Sequence, residues 1–180
     1  MTKIVIIGGS FGGLTSAFEL KRLLGKKADI TLLCCQDKFV FVPSLPWVSM
    51  GWKRPEDITL SLDAILKPKG IKFIHEEAVG VDADASKVVT KSQEIPYDYL
   101  VIATGPELVF SAVPGLGPVG GHTECIFELD MALKTKEAWN RFLEDPGPIV
   151  VGSVQGVSCF GPPYEYAFEV DTELRRRKIR

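Results

Sequence analysis

The chain has 180 residues, 46% of them hydrophobic and 24% charged, enough to bury one core or one and part of another. Its formal net charge of −2 gives no electrostatic reason to expect nucleic acid as a partner. No apolar run approaches the roughly 20 residues that span a bilayer, and the four cysteines lack the paired CxxC spacing of a zinc site, so no metal is expected.

The opening MTKIVIIGGSFGG has a lysine and an apolar run, like a secretion signal, but the run is short and no small-residue cleavage site follows. It reads as a first strand, which places the protein in the cytoplasm, with its cysteines buried, free or redox-active rather than paired in a disulfide framework. Lys3-Ile4-Val5-Ile6-Ile7 is continuously apolar after the lysine, as a parallel strand covered on both faces requires. Gly8-Gly9-Ser10-Phe11-Gly12-Gly13 follows, then Leu14, Ala17, Phe18, Leu20, Leu23 and Leu24 at helical spacing. Ala28 to Leu33 supplies a second strand and completes a βαβ unit. The loop is a variant of the G-x-G-x-x-G fingerprint, with Gly8 and Gly13 in the outer places and Ser10 in the middle. Gly8 allows the tight turn, Gly13 allows close helix–strand packing, and the helix N-terminus faces a pyrophosphate. The acidic residue that ordinarily ends the second strand and holds the ribose is replaced by Cys34, followed by Cys35, Gln36 and Asp37. Backbone contacts or Asp37 are the alternatives, so the loop predicts a dinucleotide without deciding which.

Residues 71–103 read as short strands: IKFIHEEAVGV, a turn at DADAS, KVVTK, and a buried strand ending in Ala103-Thr104-Gly105. An antiparallel meander leading into such a strand resembles the two-dinucleotide flavoproteins, where small residues let the backbone pass close to the cofactor. Cys125 lies in the loop GGHTECIF ahead of a helical stretch from Glu128 to Leu143, with His122 nearby as a candidate for proton transfer. His75, after the strand-like IKFI, reads as a surface or locally bonded residue. Ile149-Val150-Val151 reads as a strand feeding a second glycine loop and then a helix. Gly152 keeps the first fingerprint place, but Val154 and Val157 occupy the other two. Branched side chains there obstruct a pyrophosphate, so no nicotinamide cofactor is expected at this loop. Pro162 or Pro163 suits a first helical turn. The positive end of that helix favours thiolate at Cys159, and Glu165 is a candidate acid/base group about one turn on. The run Arg175 to Lys178 suits a helix C-terminus.

Phe39 to Gly51 (FVFVPSLPWVSMG), Cys125, and Gly156 to Tyr166 (GVSCFGPPYEY) resemble sulfide:quinone oxidoreductases, and the similarity runs over the whole chain. The resemblance implies bound FAD, oxidation of sulfide at cysteines on one flavin face, and electron transfer to a membrane quinone. It implies catalytic roles for Cys159, Cys125 and Glu165, with Cys125 the cysteine often attached to the flavin. Pro43 and Ser44 would lie beside the isoalloxazine ring. Gly8, Gly9, Ser10, Phe11, Gly12, Cys34, Cys35, Ala78, Val79, Ala103, Thr104 and Gly105 would contact the cofactor elsewhere. The expected fold is α/β: a Rossmann-like FAD-binding domain with an antiparallel β-meander over 1–120, then the start of a second, degenerate Rossmann-like domain over 121–180. Members of the family are more than twice as long and carry a further redox cysteine and membrane-facing segments. The chain therefore reads as an N-terminal portion, inactive alone, of a peripherally membrane-associated enzyme that is a candidate homo-oligomer. A flavin subunit with a cytochrome acceptor and a noncatalytic nucleotide-binding module are the alternatives.

Overall fold

A computed structural model of the chain describes residues 1–157 and 159–179. In chain order the elements are β1 (Thr2–Ile7), α1 (Phe11–Leu24), β2 (Ala28–Cys34), β3 (Lys38–Val40), α2 (Leu45–Ser49), β4 (Thr59–Ser61) and α3 (Leu62–Leu66). They continue with β5 (Lys72–His75), β6 (Ala78–Asp82), β7 (Lys87–Thr90), β8 (Glu94–Pro96), β9 (Tyr99–Ile102), α4 (Leu129–Glu144) and α5 (Gly161–Arg176). The chain divides into two compact units, one of residues 1–40 and 59–108, the other of residues 41–58 and 109–180.

The first unit is built on a parallel sheet in the order β5-β2-β1-β9. Side chains alternate across a strand, so an apolar run with no polar interruption must be covered twice. β1 shows this directly. Ile4 and Ile6 join Leu14 and Ala17 of α1, Ile30 and Leu32 of β2, and Leu62 and Leu66 of α3. Val5 and Ile7 point the other way, into a second cluster with Leu33, Ile74, Val88 and Ile95. Helices cover one face, and the antiparallel meander β6-β7-β8 covers the other. Each buried isoleucine or leucine contributes about 1.5–3 kcal/mol relative to exposure, so these two apolar layers set the position of the loop at the strand ends. The predicted α/β fold, with a parallel sheet and an antiparallel meander, is the fold observed.

In the second unit α4 and α5 meet over Met50, Trp139, Val170 and Leu174, flanked by Phe142, Leu143 and Tyr166. Trp139 and Phe142 stack with ring centroids 5.4 Å apart. The helix expected from Glu128 runs from Leu129 with Glu128 as its N-cap. The strand expected at Ile149-Val150-Val151 does not form, and Val150 is 93% exposed. A parallel strand exists only through hydrogen bonds to neighbouring strands, and the described residues of this unit supply none. No helix among the described residues is long and apolar enough to cross a membrane.

Candidate functional site

In the first unit β2 lies on one side of β1 and β9 on the other. That reversal opens a crevice at the C-terminal ends of the strands, where open α/β sheets take their ligands. The glycine loop sits at this point. Gly8 N–H donates to the Leu33 carbonyl at 2.8 Å, and Ala103 N–H donates to the Ile7 carbonyl at 2.8 Å, so both flanks are pinned to the sheet. Gly8 has φ +115°, and a Cβ there would lie 2.7 Å from the Ala103 carbonyl carbon. A Cβ on Gly13 would press into the Gly8 carbonyl group, 2.8 Å from its carbon. Bare backbone is therefore required for α1 to start against the end of β1. Ser10 makes no side-chain cap, and the first turn of α1 holds no acidic residue. The positive helix end is thus left to an outside anion. Ser10, Phe11 and Gly12 are exposed along the loop, as are Thr104 and Gly105 beyond β9, while Gly9 is buried and Ala103 partly so.

Cys34 ends β2, half-buried, and burial pushes its thiol up, opposed by the Gln36 N–H that donates to its sulfur at 3.4 Å. Cys35 is exposed. Its carbonyl lies 3.1 Å from His75 Nε2, and both border an open concavity of about 540 Å³ with Glu76, Glu77, Lys91 and Ser92. Ala78 and Val79 follow this rim at the start of β6; Ala78 packs inward, and Val79 is exposed at a register irregularity.

The other candidates belong to the second unit. Pro43 and Ser44 lie in a short 3₁₀ turn that leads into α2, and Ser44 is buried. Cys125 is half-buried, its thiol pushed up by burial, and its carbonyl accepts from Thr135 Oγ1 at 2.8 Å. Cys159 is an exposed free thiol two residues before α5, whose first turn carries Pro162 and Pro163 and no acidic residue. Glu165 is exposed on α5. His122 is exposed and its backbone N–H donates to the Gly115 carbonyl at 2.8 Å. Among the described residues no group of three or more histidines, cysteines or carboxylates could hold a metal ion.

Two carboxylates that sequence reasoning passed over lie on the buried face of α5. Glu173 is 1% exposed; it accepts from Arg177 Nε at 2.7 Å, from Arg176 at 3.0 Å and from Trp52 Nε1 at 3.3 Å. Burial pushes its carboxyl up, but the two arginines outweigh that and hold it below its usual range. Glu169 is 7% exposed, and neither carboxylate oxygen has a hydrogen-bond partner of good geometry among the described residues. Burial, with Glu165 adding a like charge, pushes it up to about 7; Trp47 only partly opposes this. The available signal was the spacing of Tyr166, Val170 and Leu174, whose apolar stripe places 169 and 173 on the inward side.

A glycine cradle at the switch point of a two-sided parallel sheet, joined to a helix end that no side chain caps, defines a dinucleotide-binding protein of the Rossmann type. The chain belongs to the pyridine nucleotide-disulphide oxidoreductase family, whose sequence profile matches residues 2–159. It is 43% identical over 178 residues to a sulfide-quinone reductase of Aquifex aeolicus, covering 98% of this chain and 40% of that protein. It is 32% identical to a mitochondrial sulfide:quinone oxidoreductase of Dictyostelium discoideum, over 100% of this chain and 40% of that one. The crystal structure of the Aquifex aeolicus sulfide:quinone oxidoreductase superposes with a TM-score of 0.93 at 41% identity, over 100% of this chain and 41% of that structure. The chain thus spans about 40% of the length of these curated relatives.

Proposed function

We propose that these residues form the flavin-binding and sulfide-attacking part of a sulfide:quinone oxidoreductase. The observation that carries the reading is the glycine turn of Gly8 and Gly13, where a Cβ at either position would collide with backbone, so that bare main chain brings an uncapped helix end to the strand ends where a pyrophosphate would sit. It is supported by the presence, in the same chain, of an exposed thiol before a long helix. The similarity to proteins named for sulfide and quinone gives the substrates.

The Gly8 to Gly13 loop would hold the pyrophosphate of FAD through backbone N–H groups, with Ala103, Thr104 and Gly105 passing close by. Cys34, Cys35, Ala78 and Val79 would face the adenosine end, and Pro43 and Ser44 the ring. Bound FAD would supply a two-electron acceptor that a membrane quinone can reoxidise. Sulfide would attack a disulfide between Cys159 and a cysteine from outside these residues. The sulfur–sulfur bond breaks as the new one forms, leaving one cysteine as a persulfide and the other as a thiolate. Glu165, solvent-accessible on the same helix, would take the proton that the persulfide releases. Cys125, its thiol pushed up by burial, would assist or tether the flavin without being the main sulfide acceptor. Residues 121–180 are read as the start of a second, degenerate dinucleotide-binding-like domain, and peripheral membrane attachment and any homo-oligomer belong to the same proposal. The test is Cys159→Ser in a form with the length of its relatives. Flavin content should be unchanged and sulfide-driven flavin reduction should fall by about two orders of magnitude or more, the scale of losing a covalent catalyst. Reduction at the parent rate would remove Cys159 from the proposed chemistry.

A further inference from the structure

We propose that Glu169 is a proton-binding positioning residue: as the neutral acid it seals the contact between α5 and α2, and losing its proton loosens that contact. Glu169 is more than nine-tenths buried, with both oxygens shielded from water and no hydrogen-bond partner of good geometry among the described residues; the Trp47 indole is its one polar neighbour on α2. The groups around it do not welcome a charge. From α5 itself come the Glu165 carboxylate one turn away and Tyr166, whose hydroxyl engages Ser49; the Trp47 indole is the one neighbour that favours the anion, and it only partly offsets burial and Glu165. Glu124 adds a further negative group on the Tyr166 side. No lysine or arginine among the described residues pairs with it, whereas Glu173, one turn further along, has two arginines and an indole. A buried carboxylate without a cation costs far more as an anion than as an acid. One helix thus carries one carboxylate built to stay charged and another built to stay neutral.

The contact matters because of what precedes each helix. Pro43 and Ser44 lead directly into α2, and Cys159 stands just ahead of α5. The proton site stands on burial and neighbours alone; only its title of positioning residue rests on the sulfide reading. Since its folded pKa lies above the ordinary value of 4.5, its stabilisation is fully present below 4.5, declines as the pH rises, and is lost above about 7.

The experiment compares the chain with Glu169→Gln and Glu165→Gln, by urea unfolding between pH 5 and 8.5 and by the infrared band of protonated carboxyls. The parent's folded-to-unfolded ratio, relative to Glu169→Gln, should fall about tenfold per pH unit up to neutrality, roughly a hundredfold in all. A neutral-carboxyl band should be present at pH 6, fall to about half near pH 7, vanish above it and be missing from Glu169→Gln. Glu165→Gln should keep the band and lose it at lower pH than the parent, because a like charge has been removed; an unchanged or higher midpoint counts against the proposal. Parallel pH dependence in parent and Glu169→Gln, or a parent without the band at pH 6, would overturn the proposal. If Glu169→Gln does not fold, the band in the parent and its shift in Glu165→Gln decide the matter. Neither readout involves sulfide, so their failure is distinct from a failure of the proposed activity.

Discussion

Replacing Gly13 by alanine tests the cradle with one methyl group. The added Cβ meets the Gly8 carbonyl, backbone on backbone, and no rotamer can relieve it. Gly8 is held by its bond to Leu33 and crowded by Ala103, so relief requires α1 to move off the end of β1. That motion disturbs Leu14 and Ala17, both in the cluster under the sheet. Overpacking of this kind costs about 1–3 kcal/mol and occasionally more, while glycine-to-alanine in a helix returns at most about 1 kcal/mol. Because the obstructing atoms are main chain, we expect a net loss of about 2 kcal/mol or more. Gly12→Ala is the control: its Cβ would sit 3.6 Å from the Ala103 methyl, an ordinary contact. It should be neutral or stabilising by up to about 1 kcal/mol. Urea unfolding followed by far-ultraviolet circular dichroism reads both. Equal stability of the two variants would refute the claim that Gly13 is required by close approach.

Glu173→Gln should cost about 1–3 kcal/mol by weakening the charge-assisted bonds to Arg176 and Arg177, a figure kept modest because both arginines reach solvent. Its folded pKa is lowered, so its stabilisation is present above 4.5 and lost as the pH falls through the folded value; acid unfolding of this variant should be less steep than the parent's, and an unchanged profile would count against the pairing. In a form with the length of its relatives, NADH should reduce the flavin far more slowly than sulfide, since Val154 and Val157 stand where the fingerprint has glycines; stopped-flow traces of comparable rate would contradict this.

The first unit was readable because its signals are local. The apolar runs at Ile4 to Ile7 and Ile30 to Leu33, and the glycines between them, each sit within one βαβ stretch. The β3–β4 pairing was not readable: three-residue strands carry no periodicity, and Lys38 to Val40 find their partners Thr59 to Ser61 across an excursion to the other unit. The run Ile149 to Val151 misled for a related reason, since an apolar triplet becomes a strand only beside another strand. At the candidate site, residue types with obvious chemistry were picked out, Cys159 and Glu165 among them. Glu169 and Glu173 were not, because their environment comes from Trp47 and Trp52, which lie over a hundred residues earlier.

Residues 41–58 leave the first unit after β3 and return to it at β4, yet their helix belongs to the second unit. The second unit is therefore not a contiguous stretch of gene. A cut after residue 108 would separate α5 from α2, and with it from Trp47, Ser49 and Met50. During synthesis α2 emerges well before α4 and α5, the two helices that supply Met50 with Trp139, Val170 and Leu174. Contacts that distant form late and slowly, so Trp47 and Met50 must wait in a nascent chain with their apolar surface unclaimed. Such surfaces invite association with other chains or with chaperones, which makes the order of emergence, and not only final stability, a determinant of the yield of folded protein.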